Sequence, residues 1–173
     1  MDLRFPVGQF EKAEGYTADE RARFIAEIEE TPARLRAAVA GLTAEQLEAP
    51  YRPDGWTVRQ VAHHLPDSHM NGYSRMKMAL TEDEPAIKTY AEDAWARLAD
   101  TRAVPVEVSL ALLDALHVRW TVLWRSLTPA EFARTFKHPE WGALTLEQHL
   151  ALYAWHGRHH VAHVTSLRER MGW

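Results

Sequence analysis

Five of the chain's ten histidines fall within fifteen residues near the C-terminal end: His149, His156, His159, His160 and His163. The stretch has helical character, so spacing decides what these rings can do. At about 100° per residue, positions 149, 156, 160 and 163 lie within an arc of roughly 60°. His156 and His160 are four apart, which lets their rings meet beside the helix. Imidazole is the commonest metal ligand, and two on adjacent turns make half a site. One ion cannot reach all four, because His149 sits more than a turn and a half below His160 at about 1.5 Å per residue. The spacing therefore assigns His156 and His160 as ligands. His163 becomes a pocket residue able to bind substrate or move a proton, and His149 a surface or supporting residue. His159 points away by roughly 80–100° and is expected in solvent.

A further ligand must come from another helix. The segment His63-His64-Leu65-Pro66-Asp67-Ser68-His69 supplies one. Beside its apolar face runs a narrow polar line, His64, Ser68, Asn71 and Arg75, spaced four, three and four. Such a line bordering a helix seam suits a wet pocket inside a bundle. His64 heads it, His63 is turned outward, and His69 faces elsewhere. Ser68, Asn71 and Arg75 join His163 as candidates for substrate binding or catalysis, with Arg75 suited to a substrate carboxylate. Pro66 removes the bond to the Ala62 carbonyl and is expected to kink the helix beside His64. His117 lies on the inward line of a third helix, as a substrate contact, a supporting partner or a satisfied core histidine. Trp56 and Trp155 flank the ligands and could wall a pocket. Other chemistries lack their signatures. There is no Glu-x-x-His pair of the di-iron bundles, no His-Glu-x-x-His, no Gly-x-Ser-x-Gly and no glycine-rich phosphate loop.

The elements that must position these residues are helices. Four long periodic segments stand out, at about 18–41 (with Pro32 marking a kink or restart), 58–80, 106–127 and 146–171. The last carries Leu146, Leu150, Tyr153, Gly157, His160, Val164, Leu167 and Met171 at steps of four and three, a bundle seam. Thr-x-x-Glu or Thr-x-x-Gln recurs at Thr17, Thr43, Thr57, Thr81, Thr89, Thr128 and Thr145, each able to form a capping box. Short helices are expected at 90–100 and 128–134, with connectors at 81–89, 101–105 and 136–144. No strand signal is evident. The expectation is one domain over residues 1–173: all-α, an antiparallel four-helix bundle with short extra helices in one long elaborated crossover.

Composition narrows the function classes. The chain has 173 residues, 46% of them hydrophobic, enough for one real core. A net charge of −4 argues against a nucleic-acid partner. No apolar run approaches the roughly 20 residues of a membrane span, so a soluble, cytoplasmic protein without a membrane partner is expected. There is no cysteine, so any thiol chemistry must use a substrate thiol.

The run from Tyr51 to Asn71, with Asp54-Gly55-Trp56-Thr57 and His63-His64 inside it, resembles the YfiT branch of the DinB superfamily. So does Trp155-His156-Gly157-Arg158-His159-His160-Val161-Ala162-His163. Arg4–Glu11, Leu116-His117-Val118-Arg119-Trp120 and Met171-Gly172-Trp173 match that branch too, so the resemblance spans essentially the whole chain. Pro66 departs from the pattern, where a better helix former is usual. The resemblance implies a four-helix bundle holding one divalent ion through His64, His156 and His160. It also implies a metal-dependent hydrolase acting on a small molecule, often as a homodimer.

Three imidazoles suit Zn²⁺ or Ni²⁺, with Fe²⁺, Co²⁺ and Mn²⁺ as further options. An open position on such an ion activates water for hydrolysis. It could instead bind a low-molecular-weight thiol, bacillithiol-like in relatives, for transfer to an electrophile. A non-enzymatic metal-binding stress protein is the third alternative.

Overall fold

The computed structural model describes residues 2–173. Four long helices form the body: α1 (Ala18–Val39), α3 (Val58–Thr81), α6 (Val106–Ser126) and α8 (Leu146–Met171). Short helices lie between them: α2 (Ala44–Leu47), α4 (Glu92–Trp95), α5 (Ala99–Ala103) and α7 (Pro129–Phe132). The all-α four-helix bundle expected from periodicity is the fold. Its pairing follows from cross-helix contacts. Met76 meets Trp120 and His63 meets Ser109, so α3 and α6 run the same way. Arg21 pairs with Glu147 while Arg168 reaches the Ala38 carbonyl, so α1 and α8 also run together. The two parallel pairs are set antiparallel to each other, since Arg125 of α6 meets Glu29 of α1 and His149 of α8 meets Gly72 of α3.

Capping chemistry fixes where the helices begin. Thr17, Thr43, Thr57, Thr128 and Thr145 each accept from the N3 backbone N–H while the N3 side chain reaches back. Thr81 and Thr89 do not cap. Thr81 ends α3 with its hydroxyl donating to the Lys77 carbonyl, and α4 starts at Glu92 after Ala91. In place of a plain connector at 136–144 there is a hairpin, β1 (Thr135–His138) paired antiparallel with β2 (Gly142–Thr145). Only Phe136 and Leu144, directly opposite one another, turn into the core. Four-residue strands with one buried residue each are too short for alternation to register. α1 runs through Pro32, and α3 through Pro66, each as one continuous helix.

The apolar core is divided. One cluster gathers Phe24, Ile28, Met76, Trp120, Trp124 and Leu150. The other gathers Leu35, Val58, Val61, Leu65, Leu113 and Val164. Between the two lies a layer of buried histidines from α3, α6 and α8. The α3–α8 approach that closes this layer is made by Gly72, where an added Cβ would stand 2.4 Å from Cζ of Tyr153. That ring is buried and tethered by its hydroxyl, which donates to the Ser68 carbonyl at 3.1 Å.

Gly72→Ala sets two effects against each other. Helix propensity favours Ala by about 1 kcal/mol. Overpacking a tethered core ring costs about 1–3 kcal/mol. The expected result is a lower urea midpoint at unchanged slope, and a midpoint equal to or above wild type would show that the ring yields freely.

Candidate metal centre

α3 and α8 bring three rings to one point. The Nε2 atoms of His64 and His156 lie 3.3 Å apart. His160, one turn beyond His156, has its ring centroid 4.5 Å from that of His156 and 4.7 Å from that of His64. One nitrogen from each of the three falls within 4.8 Å of the others, a spacing one cation can share. Trp56 packs edge-on against His64 and parallel to His160, and its indole Nε1–H is held by Asp93 at 2.8 Å.

Burial sets the charge state of these rings. His64 is pushed down to about 3, first by desolvation and then by the field of His159. His156 and His160 are driven well below the ordinary imidazole range, again by desolvation first and neighbouring histidines second. At neutral pH each ring is therefore uncharged and keeps one nitrogen able to offer a lone pair.

A cavity of about 710 Å³ opens onto His156 and His160. Of the polar line on α3, Ser68 and Arg75 line it. Ser68 Oγ sits 3.5 Å from His156 Nε2, and the Arg75 guanidinium donates to the Lys88 carbonyl. Asn71 stands outside the cavity lining, its amide donating to the Asp67 carbonyl one turn back. His163 is also off this cavity. Its ring stacks on Tyr51 at 3.9 Å, its Nε2–H donates to the Arg4 carbonyl at 3.2 Å, and it borders a second pocket of about 420 Å³ with His159 and His160.

Two expectations are corrected. His159 is buried rather than solvated, because the N-terminal segment folds over it. Phe5 packs on one side, Trp155 stacks at 4.4 Å, and His163 lies edge-on. His149 is fully buried below the site, where its Nε2–H donates to the Gly72 carbonyl at 2.9 Å. His159, His160 and His163 form a second close triad, and their Nδ1 atoms are buried without a hydrogen-bond partner among the described residues.

Other site residues escaped sequence reasoning. Tyr90, Glu92 and Asp93 come from the crossover and complete the cavity wall with His138, Glu140 and Trp141 of the hairpin. Burial raises the Glu92 carboxyl, partly countered by Arg75. No helical period links these residues to the histidines, and only the Thr89/Glu92 pair drew notice, as a cap. His69 was also missed: its Nε2 lies 3.1 Å from His156 Nδ1, its Nδ1 lies 2.7 Å from His117 Nε2, and His117 Nδ1 lies 2.6 Å from the Ile28 carbonyl.

The structure thus defines a helical bundle with a largely buried tri-histidine cluster beside a cavity. Residues 27–164 match the family model of the DinB superfamily, and the chain belongs to that superfamily. It is 53% identical to a Bacillus mycoides (strain KBAB4) protein over 99% of both chains. It is 49% identical to YfiT of Bacillus subtilis (strain 168), covering 100% of this chain and 98% of that one. Both relatives carry, by inference, the name of metal-dependent hydrolases. The solved structure of YfiT superposes with a TM-score of 0.97, covering 100% of this chain and 99% of that one. A four-helix-bundle protein, TT2238, shares the fold alone, at 23% identity and a TM-score of 0.59 over 82% of this chain and 94% of that one. No helix among the described residues is long and apolar enough to cross a membrane.

His149 offers a test of how burial controls the imidazoles. It is held near 3 by desolvation, so the folded chain refuses a proton that the unfolded chain accepts below about 6.5. Its contribution is complete above that value and is lost as pH falls toward the folded value, at about 1.4 kcal/mol per unit. In urea unfolding of metal-free protein between pH 6.5 and 5, His149→Gln is expected to lower the pH slope by about half a proton at the upper end, approaching one proton at the lower. An unaltered slope would mean that His149 already carries a proton in the folded state.

Proposed function

We propose that this chain is a metal-dependent hydrolase that holds one divalent ion through His64, His156 and His160. The observation that carries the reading is the convergence of three neutral imidazoles, His64 and His160 buried and His156 half-buried, beside a cavity large enough for a small-molecule substrate. The donor set fits a borderline cation of the Zn²⁺ or Ni²⁺ kind, with Fe²⁺, Co²⁺ and Mn²⁺ also compatible. Bound there, such an ion supplies Lewis acidity and makes water nucleophilic at neutral pH.

The chain's own residues do the rest. Arg75, fixed by the Lys88 carbonyl, presents positive charge to an anionic substrate group. Glu92, whose carboxyl burial pushes upward, is suited to hold a proton and release it to a leaving group. Ser68 Oγ, beside His156, positions a polar substrate atom. Trp155 and Trp141 give the cavity apolar walls that limit water. The homodimer implied by the resemblance is supported by an exposed apolar stripe on α6, Val108, Leu112, Val118 and Val122.

The test begins with metal content. Wild type purified with Zn²⁺ or Ni²⁺ should carry one ion per chain. His160→Ala should lose stoichiometric metal while keeping its helical circular dichroism, and unchanged metal content would refute the site. The loaded protein is then offered an ester and amide panel beside a small thiol with an electrophile. Hydrolysis product supports the hydrolase, whereas thioether formation without hydrolysis would move the assignment to thiol S-transfer.

A further inference from the structure

The carbonyl of Ile28 occupies an unusual position in α1. In an α-helix it accepts from the backbone N–H four residues on, but that residue is Pro32, which has none. The acceptor left open is met from α6: His117 Nδ1 lies 2.6 Å from Ile28 O. A carbonyl can only accept, so the Nδ1 of His117 carries the proton.

The consequences propagate ring by ring. His117 is buried and neutral, so its other nitrogen, Nε2, is a lone pair. That lone pair lies 2.7 Å from His69 Nδ1, which must therefore be the N–H. His69 is fully buried as well, and a buried ring carrying a single proton, on Nδ1, has its Nε2 as an acceptor 3.1 Å from His156 Nδ1. His156 Nδ1 is then the donor. Its Nε2, the atom facing His64 Nε2 and Ser68 Oγ, has no proton. Each ring has one donor and one acceptor, and reversing any link would place two protons or two lone pairs face to face.

We infer that the Ile28 carbonyl, His117 and His69 form a directed hydrogen-bond chain that holds His156 in its Nδ1–H form and aims its Nε2 lone pair at the centre. This rests on the reading of His64, His156 and His160 as metal ligands. His69 and His117 are positioning residues. They fix the ring and polarise it through its far N–H, as outer partners of ligating histidines do. The origin of the chain is a helix-interior proline more than 120 residues from the ring it orients.

Two measurements test this on the full-length protein. Nitrogen-15 NMR of the histidine rings in metal-free wild type should find His69, His117 and His156 each protonated at Nδ1 and bare at Nε2. Zn²⁺ titration then compares two substitutions at 117. His117→Phe keeps an aromatic ring in the packing but ends the chain, and should weaken Zn²⁺ affinity about 10–100-fold. His117→Gln has an amide N–H for Ile28 and an amide oxygen for His69, and should bind Zn²⁺ close to the wild-type value. A packing role alone would favour Phe over Gln. Wild-type affinity in His117→Phe, or an Nε2 proton on His156 in the metal-free protein, would overturn the inference. The ligand reading fails separately, if His64→Ala and His156→Ala still bind Zn²⁺ as wild type does. Should His117→Phe not fold, the wild-type spectrum and the Gln variant decide.

Discussion

Desolvation of imidazole is the interaction on which the rest of this molecule depends. Two apolar clusters enclose a layer of histidines, and taking a charged ring out of water costs far more than taking a neutral one. The fold therefore holds these rings uncharged. That choice fixes what each can do: donate at one nitrogen, accept at the other. A neutral histidine is a directional connector, and a set of them packed together must agree on direction. Hydrogen bonds offset the burial of much of the layer, from the Ile28 carbonyl through His117 and His69 to His156 and from the Gly72 carbonyl to His149. Where they do not close, as at Nδ1 of His159, His160 and His163, the cost is concentrated beside the cavity and the second pocket.

Backbone irregularities supply the connections that regular helices lack. In an uninterrupted helix every interior carbonyl already accepts one backbone N–H, and a neighbour's side chain can only share it. Pro32 releases one where the layer needs an acceptor. Gly72 plays a complementary part. Without a Cβ, it lets the Tyr153 ring come close enough to reach the Ser68 carbonyl, while its own carbonyl accepts from His149. Read only as punctuation, both residues look like faults in a helix. In the folded chain they are points at which α1 and α3 accept hydrogen bonds from α6 and α8.

Much of this was legible in the sequence. The period of three and four along α8 gave the seam, five threonine boxes gave helix starts, and the 64, 156, 160 set followed from spacing and resemblance. What was not legible depends on contacts between segments far apart in the chain. His159 points away from the seam by helical geometry, and nothing local says that Phe5 will cover it. His149 and Asn71 lie on expected faces, yet tertiary packing buries one and turns the other to its own helix. The direction of the His69–His117 link could not be read because its origin is a carbonyl, which every residue carries. Thr81 and Thr89 show the converse error, a local pattern overridden by where α3 ends and the crossover turns.

The arrangement of parallel pairs also explains where the cavity lies. Two neighbouring helices that run the same way cannot be joined by a tight turn, so the chain must travel the length of the bundle between α3 and α6. That return is the segment carrying α4 and α5, and it crosses the bundle beside the histidine layer. A connection of this length costs little extra closure entropy; Ile87, Ala96 and Thr101 anchor it to the core while most of its other side chains are more exposed. Tyr90, Glu92 and Asp93 lie on it, facing nitrogens supplied by α3 and α8. The division follows from topology: α3 and α8 bring the three rings together, while the crossover and the hairpin supply the opposite wall of the cavity. On that wall burial raises the Glu92 carboxyl, while the imidazoles opposite it are held neutral.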